Sequence, residues 1–407
     1  PGVFEGYVNE DGIYVGISDI QLEAIAMAGA AHEQKLPSGE RRGFLIGDGT
    51  GVGKAREALG IIMDDFIKRG TGARRKAVLI TKNDGLVKDA VKEWIGVGGD
   101  AAEMQALSNV GSGVAVNYES GVLNLSYDTL KGEASIVAKA NGNTLSRVDQ
   151  IVEWVGPDFD GVVVFDEAHL MANSLDTGVG NQAKGASMRA LAGVDLQQRL
   201  PNARFVYLSA TAATEVRNLA YAERLGLWGP ETSFATKHAF INEIEAGGVA
   251  AMEKVAADMK AMGMYIARNL SYDDGTEKGR VEFDRIMHTL TDDQGRVYDK
   301  LSEAWLKVLA DIDTALGITN NEKGKSRILS AFWSSNQRFW NDVVTTMMAP
   351  TLIQIIEKDL KAGRSVVIQL STTKEAATTR AIAGMKEGQT YDEIDASPRR
   401  SLMEYVE

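Results

Sequence analysis

The chain has 407 residues, which is enough for two or three domains and rules out a small scaffold stapled by cross-links. Its 44 Lys and Arg residues against 56 Asp and Glu residues give a formal net charge of −12, so any nucleic-acid contact requires a locally basic groove. The absence of cysteine excludes disulfides, iron–sulfur clusters and thiolate zinc sites.

Neither a transition-metal centre nor a membrane segment is expected. The four histidines, His32, His169, His238 and His288, stand singly and never at the spacing that places two imidazoles on one helix face. The apolar runs are much shorter than the roughly 20 residues that a membrane helix needs. We therefore expect a soluble, cytoplasmic protein without a membrane partner. Because the sequence starts at Pro1 and not at Met, we also expect a fragment or processed chain.

Short β-branched runs alternate with helical stretches through the first 230 residues. The predicted strands are 42–46, 77–81, 122–126, 161–165 and 204–208, and the predicted helices are 54–69, 86–94 and 187–200. This alternation predicts an α/β fold, in which a parallel sheet carries helices on both faces. Ligands of such sheets bind at the carboxyl ends of the strands, so the residues after each strand are the candidate site.

The pattern changes twice along the chain and predicts three regions. Residues 1–230 form the α/β domain, and residues 231–348 show long helical periodicity with few β-branched runs. Residues 349–407 are predicted to begin a second α/β domain, with a helix at 351–360 and a buried strand at 365–370.

A glycine-rich segment, GDGTGVGKAR, follows the first predicted strand at residues 47–56. Glycines let the backbone N–H groups wrap a phosphate, and Lys54 would stand at the start of the next helix, where it can hold the β- and γ-phosphates. The strict pattern asks for glycine and for Ser or Thr where this chain has Asp48 and Ala55, so a usual magnesium hydroxyl ligand is missing. An ordinary glycine-rich turn is the alternative. The predicted nucleotide contacts are Gly49, Thr50, Gly51, Val52, Gly53, Lys54, Ala55 and Arg56.

The apolar run 161–165 leads directly into Asp166, Glu167, Ala168 and His169. An aspartate at the end of a buried parallel strand can hold Mg²⁺, and the adjacent glutamate can orient or deprotonate the attacking water. We therefore predict that Lys54, Asp166 and Glu167 are catalytic and that Asp166 binds the metal. Acidic pairs also serve as turn or cap residues, which is the alternative.

A second polar segment, Ser209-Ala210-Thr211, follows the strand predicted at 204–208. We predict that His169, Ser209 and Thr211 couple the state of the nucleotide to the rest of the protein. A helix cap is the alternative for the two hydroxyl residues.

These segments, in this order, resemble motifs I, II and III of superfamily 2 helicases of the DEAH kind. The stretches LPNARFVYLSATAATEVRNLAYAERLGLWG and GVAAMEKVAADMKAMGMYIARNLS further resemble the strawberry notch family, and the similarity runs from about residue 21 to about residue 376. The resemblance implies a bacterial or phage member with a RecA-like domain that uses ATP and Mg²⁺. In that family the residue after the loop lysine is typically neither Ser nor Thr, so Ala55 fits.

The resemblance also implies roles for further residues. Gln21 matches the glutamine that reads the adenine edge, although a single helix glutamine is also a common surface residue. The predicted nucleic-acid contacts are Thr81, Lys82, Ser126 and Tyr127, whose alternative is solvated strand ends. A second RecA-like domain with an arginine finger is implied, and no such arginine is found here, so this chain alone should hydrolyse ATP poorly.

Three functional hypotheses follow from these features. The first is an ATP-dependent helicase or translocase that moves on single- or double-stranded nucleic acid, more readily DNA than RNA. Its partner would be the remainder of a larger polypeptide that carries the C-terminal RecA-like domain. The second is a nucleotide-binding scaffold or regulator without motor activity. A metabolic P-loop kinase is third, and no phosphate-acceptor pocket is found for it.

Overall fold

The computed structural model describes residues 7–10, 12–49, 51–70, 72, 75–172, 186–210, 219–269, 284–319 and 322–369. The chain divides into two compact units, residues 1–280 and 281–407. The strands of the first unit are β1 (Tyr7–Val8), β2 (Tyr14–Val15), β3 (Phe44–Ile46), β4 (Lys76–Thr81), β5 (Met104–Ala106), β6 (Gly121–Ser126), β7 (Val162–Phe165), β8 (Arg204–Leu208) and β9 (Tyr265–Ile266). Its helices are α1 (Asp19–His32), α2 (Lys54–Arg69), α3 (Val87–Gly96), α4 (Tyr127–Leu130), α5 (Ile136–Ala140), α6 (Arg147–Val155), α7 (Met188–Arg199) and α8 (Lys237–Ala261).

A seven-stranded parallel sheet forms the centre of this unit, in the order β5-β6-β4-β7-β8-β3-β9. The connection from β3 to β4 crosses over β8 and β7, so the carboxyl ends of β3, β8 and β7 stand side by side. β1 and β2 form a separate antiparallel pair.

The sheet is covered on both faces because successive side chains of a strand point to opposite sides. In β4, Val78 and Ile80 join a core that includes residues of α6, α7 and α8, whereas Ala77 and Leu79 join a core that includes residues of α1, α2 and α3. Burial of each large apolar side chain contributes roughly 1.5–3 kcal/mol, so the two cores fix the sheet firmly. The predicted α/β fold with helices on both faces is confirmed.

The sheet extends past residue 230, where the sequence pattern predicted the end of the first domain. Leu45 and Ile46 of β3 pair in parallel with Tyr265 and Ile266 of β9, and α8 leads into that edge strand. A two-residue strand after a long helix is too short to show strand periodicity, which is why the sequence pattern grouped it with the helical region.

The second unit is a pair of long helices, α9 (Asp292–Thr319) and α10 (Glu322–Lys361), in the part that the structure describes. Trp305 of α9 packs with Phe332, Phe339 and Val343 of α10 in a small apolar core. The buried strand predicted at 365–370 is wrong for residues 365–369, which are not in a strand, and the Val367 side chain is 95% exposed. Apolar composition alone does not bury a segment that lacks a hydrogen-bonded neighbour strand. Leu370 lies outside the described residues.

Within the described residues, no helix combines the length and the hydrophobicity that crossing a membrane requires.

Candidate active site

The phosphate loop connects β3 to α2 and has a backbone that needs glycine. Gly51 and Gly53 have φ values of 96° and 94°, which L residues with a side chain rarely adopt. A Cβ on Gly53 would also stand 2.4 Å from Nε2 of Gln21. The loop therefore bends sharply into α2, which begins at Lys54 as predicted. Thr50 lies outside the described residues.

Lys54 lies at the start of α2 with its ammonium group turned back over the loop. Its Nζ donates a hydrogen bond to the carbonyl oxygen of Asp48 at 2.8 Å and is 3.5 Å from that of Gly49. Positive charge, a helix N-terminus and a glycine-rich loop thus occur together, which is the combination that binds phosphate. Ala55, the next residue, is exposed and brings no hydroxyl.

Gln21 contacts the loop directly. Its Nε2 donates to the carbonyl oxygen of Val52 at 3.0 Å, and its Oε1 accepts from the backbone N of Ser18 at 3.1 Å in the capping box of α1. Both ends of the amide are thereby fixed, and the side chain ties the start of α1 to the phosphate loop.

The side chain of Arg56, a predicted nucleotide contact, is directed away from the loop. Its Nε pairs with Glu93 of α3 at 2.7 Å, and its Nη1 donates to the carbonyl oxygens of Tyr14 and Gly16. On the first turn of a helix, a side chain two positions after Lys54 faces a different side. Arg56 therefore joins α2 to α3 and β2.

The acidic pair stands at the carboxyl end of β7, beside the ends of β4 and β8. The pKa of Asp166 is raised to about 6, chiefly by burial and then by the Glu167 carboxylate, whereas the hydrogen bond from the Glu167 backbone and the positive charge of Lys54 act to lower it. Although they are 112 positions apart in the sequence, Lys54 and Asp166 lie at the same edge of the sheet, where Ala55, next to Lys54, and Asp166 line one cavity. Asp166 Oδ1 accepts a hydrogen bond from the backbone N of Glu167 at 3.0 Å.

Glu167 has a left-handed backbone, with φ 48° and ψ 48°. This conformation costs energy for a residue with a Cβ, and it persists only where the surrounding structure enforces it. It places the carboxylate and the following 3₁₀ turn, Ala168–Met171, at the sheet edge.

His169 and Ser209 meet at this edge. Ser209 Oγ is 3.3 Å from His169 Nδ1, and the same nitrogen is 3.2 Å from Glu167 Oε2. The end of β8 is thus connected to the acidic pair through the imidazole of His169. Thr211 lies outside the described residues.

Three of the four predicted nucleic-acid contacts have buried side chains. The Thr81 hydroxyl donates to the carbonyl of Asn83, Ser126 caps α4, and the Tyr127 hydroxyl donates to the carbonyl of Asp166 at 2.8 Å. In this structure the three hydroxyl groups form hydrogen bonds within the fold. Lys82 is exposed, as a nucleic-acid contact requires.

One segment of the site was missed by the sequence analysis. The backbone N of Gly47 donates to the carbonyl of Ile266, and that of Gly49 donates to the carbonyl of Arg268, both at 2.7 Å. Residues 266–268 therefore continue β9 alongside the phosphate loop. The available signal was Asp48, an acidic residue where glycine is usual, because a carboxylate that follows a buried strand needs a cationic partner.

The residues present fit a nucleotide with Mg²⁺. Lys54 and the loop N–H groups would hold phosphate oxygens, and Asp166 would supply an oxygen ligand to the metal. Beside Asp166 is a cavity of about 150 Å³ that is lined in part by Ala55 and Thr81. Because Mg²⁺ accepts several waters, a water in this space could replace the missing hydroxyl ligand.

The model of one protein family, P-loop containing NTP hydrolase pore-1, matches residues 8–300. The chain belongs to this family. It therefore carries a P-loop NTPase domain, in agreement with the loop geometry.

Curated relatives confirm the resemblance to strawberry notch proteins. Protein strawberry notch of Drosophila melanogaster is 38% identical over 368 residues, and the match covers 89% of this chain and 21% of that protein. Protein FORGETTER 1 of Arabidopsis thaliana is 36% identical, with 96% of this chain and 29% of that protein covered. The chain thus spans less than a third of these relatives.

Among solved structures, the SWI2/SNF2 ATPase core of Sulfolobus solfataricus in complex with dsDNA matches with 16% sequence identity and a TM-score of 0.44. The match covers 89% of this chain and 67% of that chain.

Proposed function

We propose that the chain is the ATP-binding part of a helicase or translocase, which couples ATP hydrolysis to movement along a nucleic-acid strand, DNA in preference to RNA. The observation that carries this proposal is that the phosphate loop and the acidic pair meet at one edge of a parallel sheet, where Ala55, next to Lys54, and Asp166 line the same cavity. Full activity would need the remainder of a larger polypeptide, including a C-terminal RecA-like domain with an arginine finger.

Each site residue has a defined part in the proposed hydrolysis. Lys54 and the loop N–H groups bind and orient the phosphates, and Asp166 holds the metal. Glu167 orients the attacking water and accepts its proton. Mg²⁺, when bound, neutralises charge on the β- and γ-phosphates.

In this proposal His169 and Ser209 couple the state of the nucleotide to the sheet. His169 Nδ1 lies close to both Glu167 and Ser209. A movement of Glu167 when the γ-phosphate is bound or released therefore alters the contact between His169 and Ser209, the residue that follows β8. Lys82, exposed at the end of β4, is the residue that supports a nucleic-acid contact at this edge.

A scaffold without motor activity is the second candidate. It is favoured by Ala55, which removes a usual magnesium ligand and so slows hydrolysis without preventing nucleotide binding.

The test is ATP binding and DNA-stimulated ATP hydrolysis by a chain extended through the second RecA-like domain. We expect Glu167→Gln to retain ATP binding and to lower kcat by about 10²-fold or more, because the water loses its base. We expect Lys54→Ala to lose ATP binding, because the phosphates lose their cation.

Glu153→Gln is the matched control, since Glu153 is an exposed glutamate of α6 outside the site. ATP binding without turnover in the unmodified chain would favour the scaffold. Equal loss of binding and hydrolysis in Glu167→Gln would contradict the water-orienting role.

A further inference from the structure

The side chain and backbone of Arg268 together enclose the carboxylate of Asp48. The Arg268 backbone N donates to Asp48 Oδ1 at 2.8 Å, and its Nε donates to Asp48 Oδ2 at 3.0 Å. Its Nη2 contacts the same oxygen. Asp48 is completely buried, so this ion pair stands inside the base of the phosphate loop.

The same guanidinium reaches two helices. Its Nη2 donates to Glu57 Oε1 of α2 at 2.8 Å. Its Nη1 donates to the carbonyl oxygen of Ile20 at 2.7 Å and to Glu23 Oε2 at 2.9 Å, both on α1. Arg268 therefore joins the loop, the helix that begins at Lys54 and the helix that carries Gln21.

Arg268 is the cation that pairs with the three acidic side chains of this cluster, Asp48, Glu57 and Glu23. Glu57 and Asp48 are both fully buried, and burial together with the Asp48 carboxylate raises the pKa of Glu57 to about 8, whereas Arg268 and Lys54 act to lower it. Without the guanidinium, the buried Asp48 carboxylate would lose the cation that pairs with it, next to the buried Glu57. Glu23 lies on α1, and Tyr265 on β9 is a further titratable group facing the cluster.

We infer that Arg268 is a positioning residue that holds the phosphate loop in its nucleotide-binding conformation by clamping Asp48 against α1 and α2. This inference rests on the proposed binding of ATP. In the strict pattern the position of Asp48 is glycine, and here an ion pair with a residue 220 positions later fixes the loop instead.

A Cβ added to Gly49 would stand 2.4 Å from Oδ1 of Asn269, which shows how closely this segment approaches the loop. The segment after β9 therefore forms one wall of the phosphate loop, and displacement of Arg268 would displace the backbone N–H groups that bind phosphate.

The test measures the dissociation constant of a fluorescent ATP analogue with the full 407-residue chain and Mg²⁺. We expect Arg268→Gln to weaken binding roughly tenfold or more, because small displacements of positioning groups are costly. Adding Asp48→Asn to Arg268→Gln should recover part of the loss, since it removes one of the unpaired charges.

Arg69→Gln is the matched control, since Arg69 pairs with Asp65 and Asp160 at the opposite end of α2. It should lower the melting temperature without changing ATP affinity. If Arg268→Gln does not fold, the ATP affinities of Arg268→Lys and Asp48→Asn are measured instead. Weakened binding in either variant supports the role of the Arg268–Asp48 pair. Unchanged affinity for ATP in the folded Arg268 and Asp48 variants would overturn this inference and leave the proposed function standing. An unmodified chain that does not bind ATP would overturn the proposed function and the inference together.

Discussion

Tyr127 shows how a single buried hydroxyl can support the acidic pair. The ring is completely buried and stacks on Phe165, with ring centroids 6.4 Å apart, and the hydroxyl donates to the main-chain carbonyl of Asp166. It therefore links the start of α4 to the end of β7, directly beneath the residue proposed to bind the metal.

Tyr127→Phe should lower the free energy of unfolding by about 1 kcal/mol, because a buried carbonyl loses its hydrogen bond. It should also slow ATP turnover, because the end of β7 is less firmly held. Urea unfolding followed by circular dichroism measures the first effect, and steady-state ATPase kinetics of the extended chain measure the second.

Tyr221→Phe provides the comparison for Tyr127→Phe. Tyr221 is as deeply buried, but no group among the described residues lies within hydrogen-bonding distance of its hydroxyl. Removing it should leave stability unchanged or raise it. Equal destabilisation by the two substitutions would show that the hydrogen bond from Tyr127 to the Asp166 carbonyl does not account for the effect of Tyr127→Phe.

At the level of residues, local motifs predicted Lys54, Asp166 and Glu167 because each of these residues follows a predicted strand directly or after a short loop. Arg268 could not be predicted in this way. Its role depends on a contact with Asp48 across 220 positions, and no local pattern distinguishes it from a surface arginine. The burial of Tyr127 likewise follows from the packing of β6, β4 and β7.

At the level of elements, the sequence predicted β3, β4, β6, β7 and β8 because each is an apolar run bounded by polar or glycine residues. It missed β5 and β9, which have three and two residues and show no alternation. The predicted segment 365–370 has the composition of a strand, yet pairing decides whether such a run is buried.

The edge strand β9 leads to a prediction about fragments. A chain of residues 1–280 should unfold cooperatively and bind the ATP analogue, because it retains α8, β9 and Arg268. A chain of residues 1–230 should be less stable and bind ATP weakly, because β3 loses one neighbour and Asp48 loses its counterion.

Thermal unfolding by circular dichroism and fluorescence titration with the analogue compare the two fragments. Similar melting temperatures and affinities would mean that the sheet does not need its last strand.

At the scale of the whole molecule, a net charge of −12 means that nucleic-acid binding must depend on a few local cations. Lys82→Ala should weaken single-stranded DNA binding and reduce the slope of log affinity against log salt by about 0.7, the value for one lost phosphate contact.

Lys254→Ala makes the same change in net charge on α8, where the side chain is 79% exposed, and should leave the salt slope unaltered. Fluorescence anisotropy at several salt concentrations measures both variants. Identical salt slopes for Lys82→Ala and the unmodified chain would show that Lys82 does not contact the nucleic acid.

The position of β3 in the sheet determines when this strand can pair during translation. Both of its neighbours, β8 and β9, are synthesised more than 150 residues after it, so the strand that leads into the phosphate loop stays unpaired until residues 204–208 have been synthesised. Contacts of such high sequence separation form late. The nucleotide can therefore act as a ligand for the nascent chain only after residue 268 has left the ribosome.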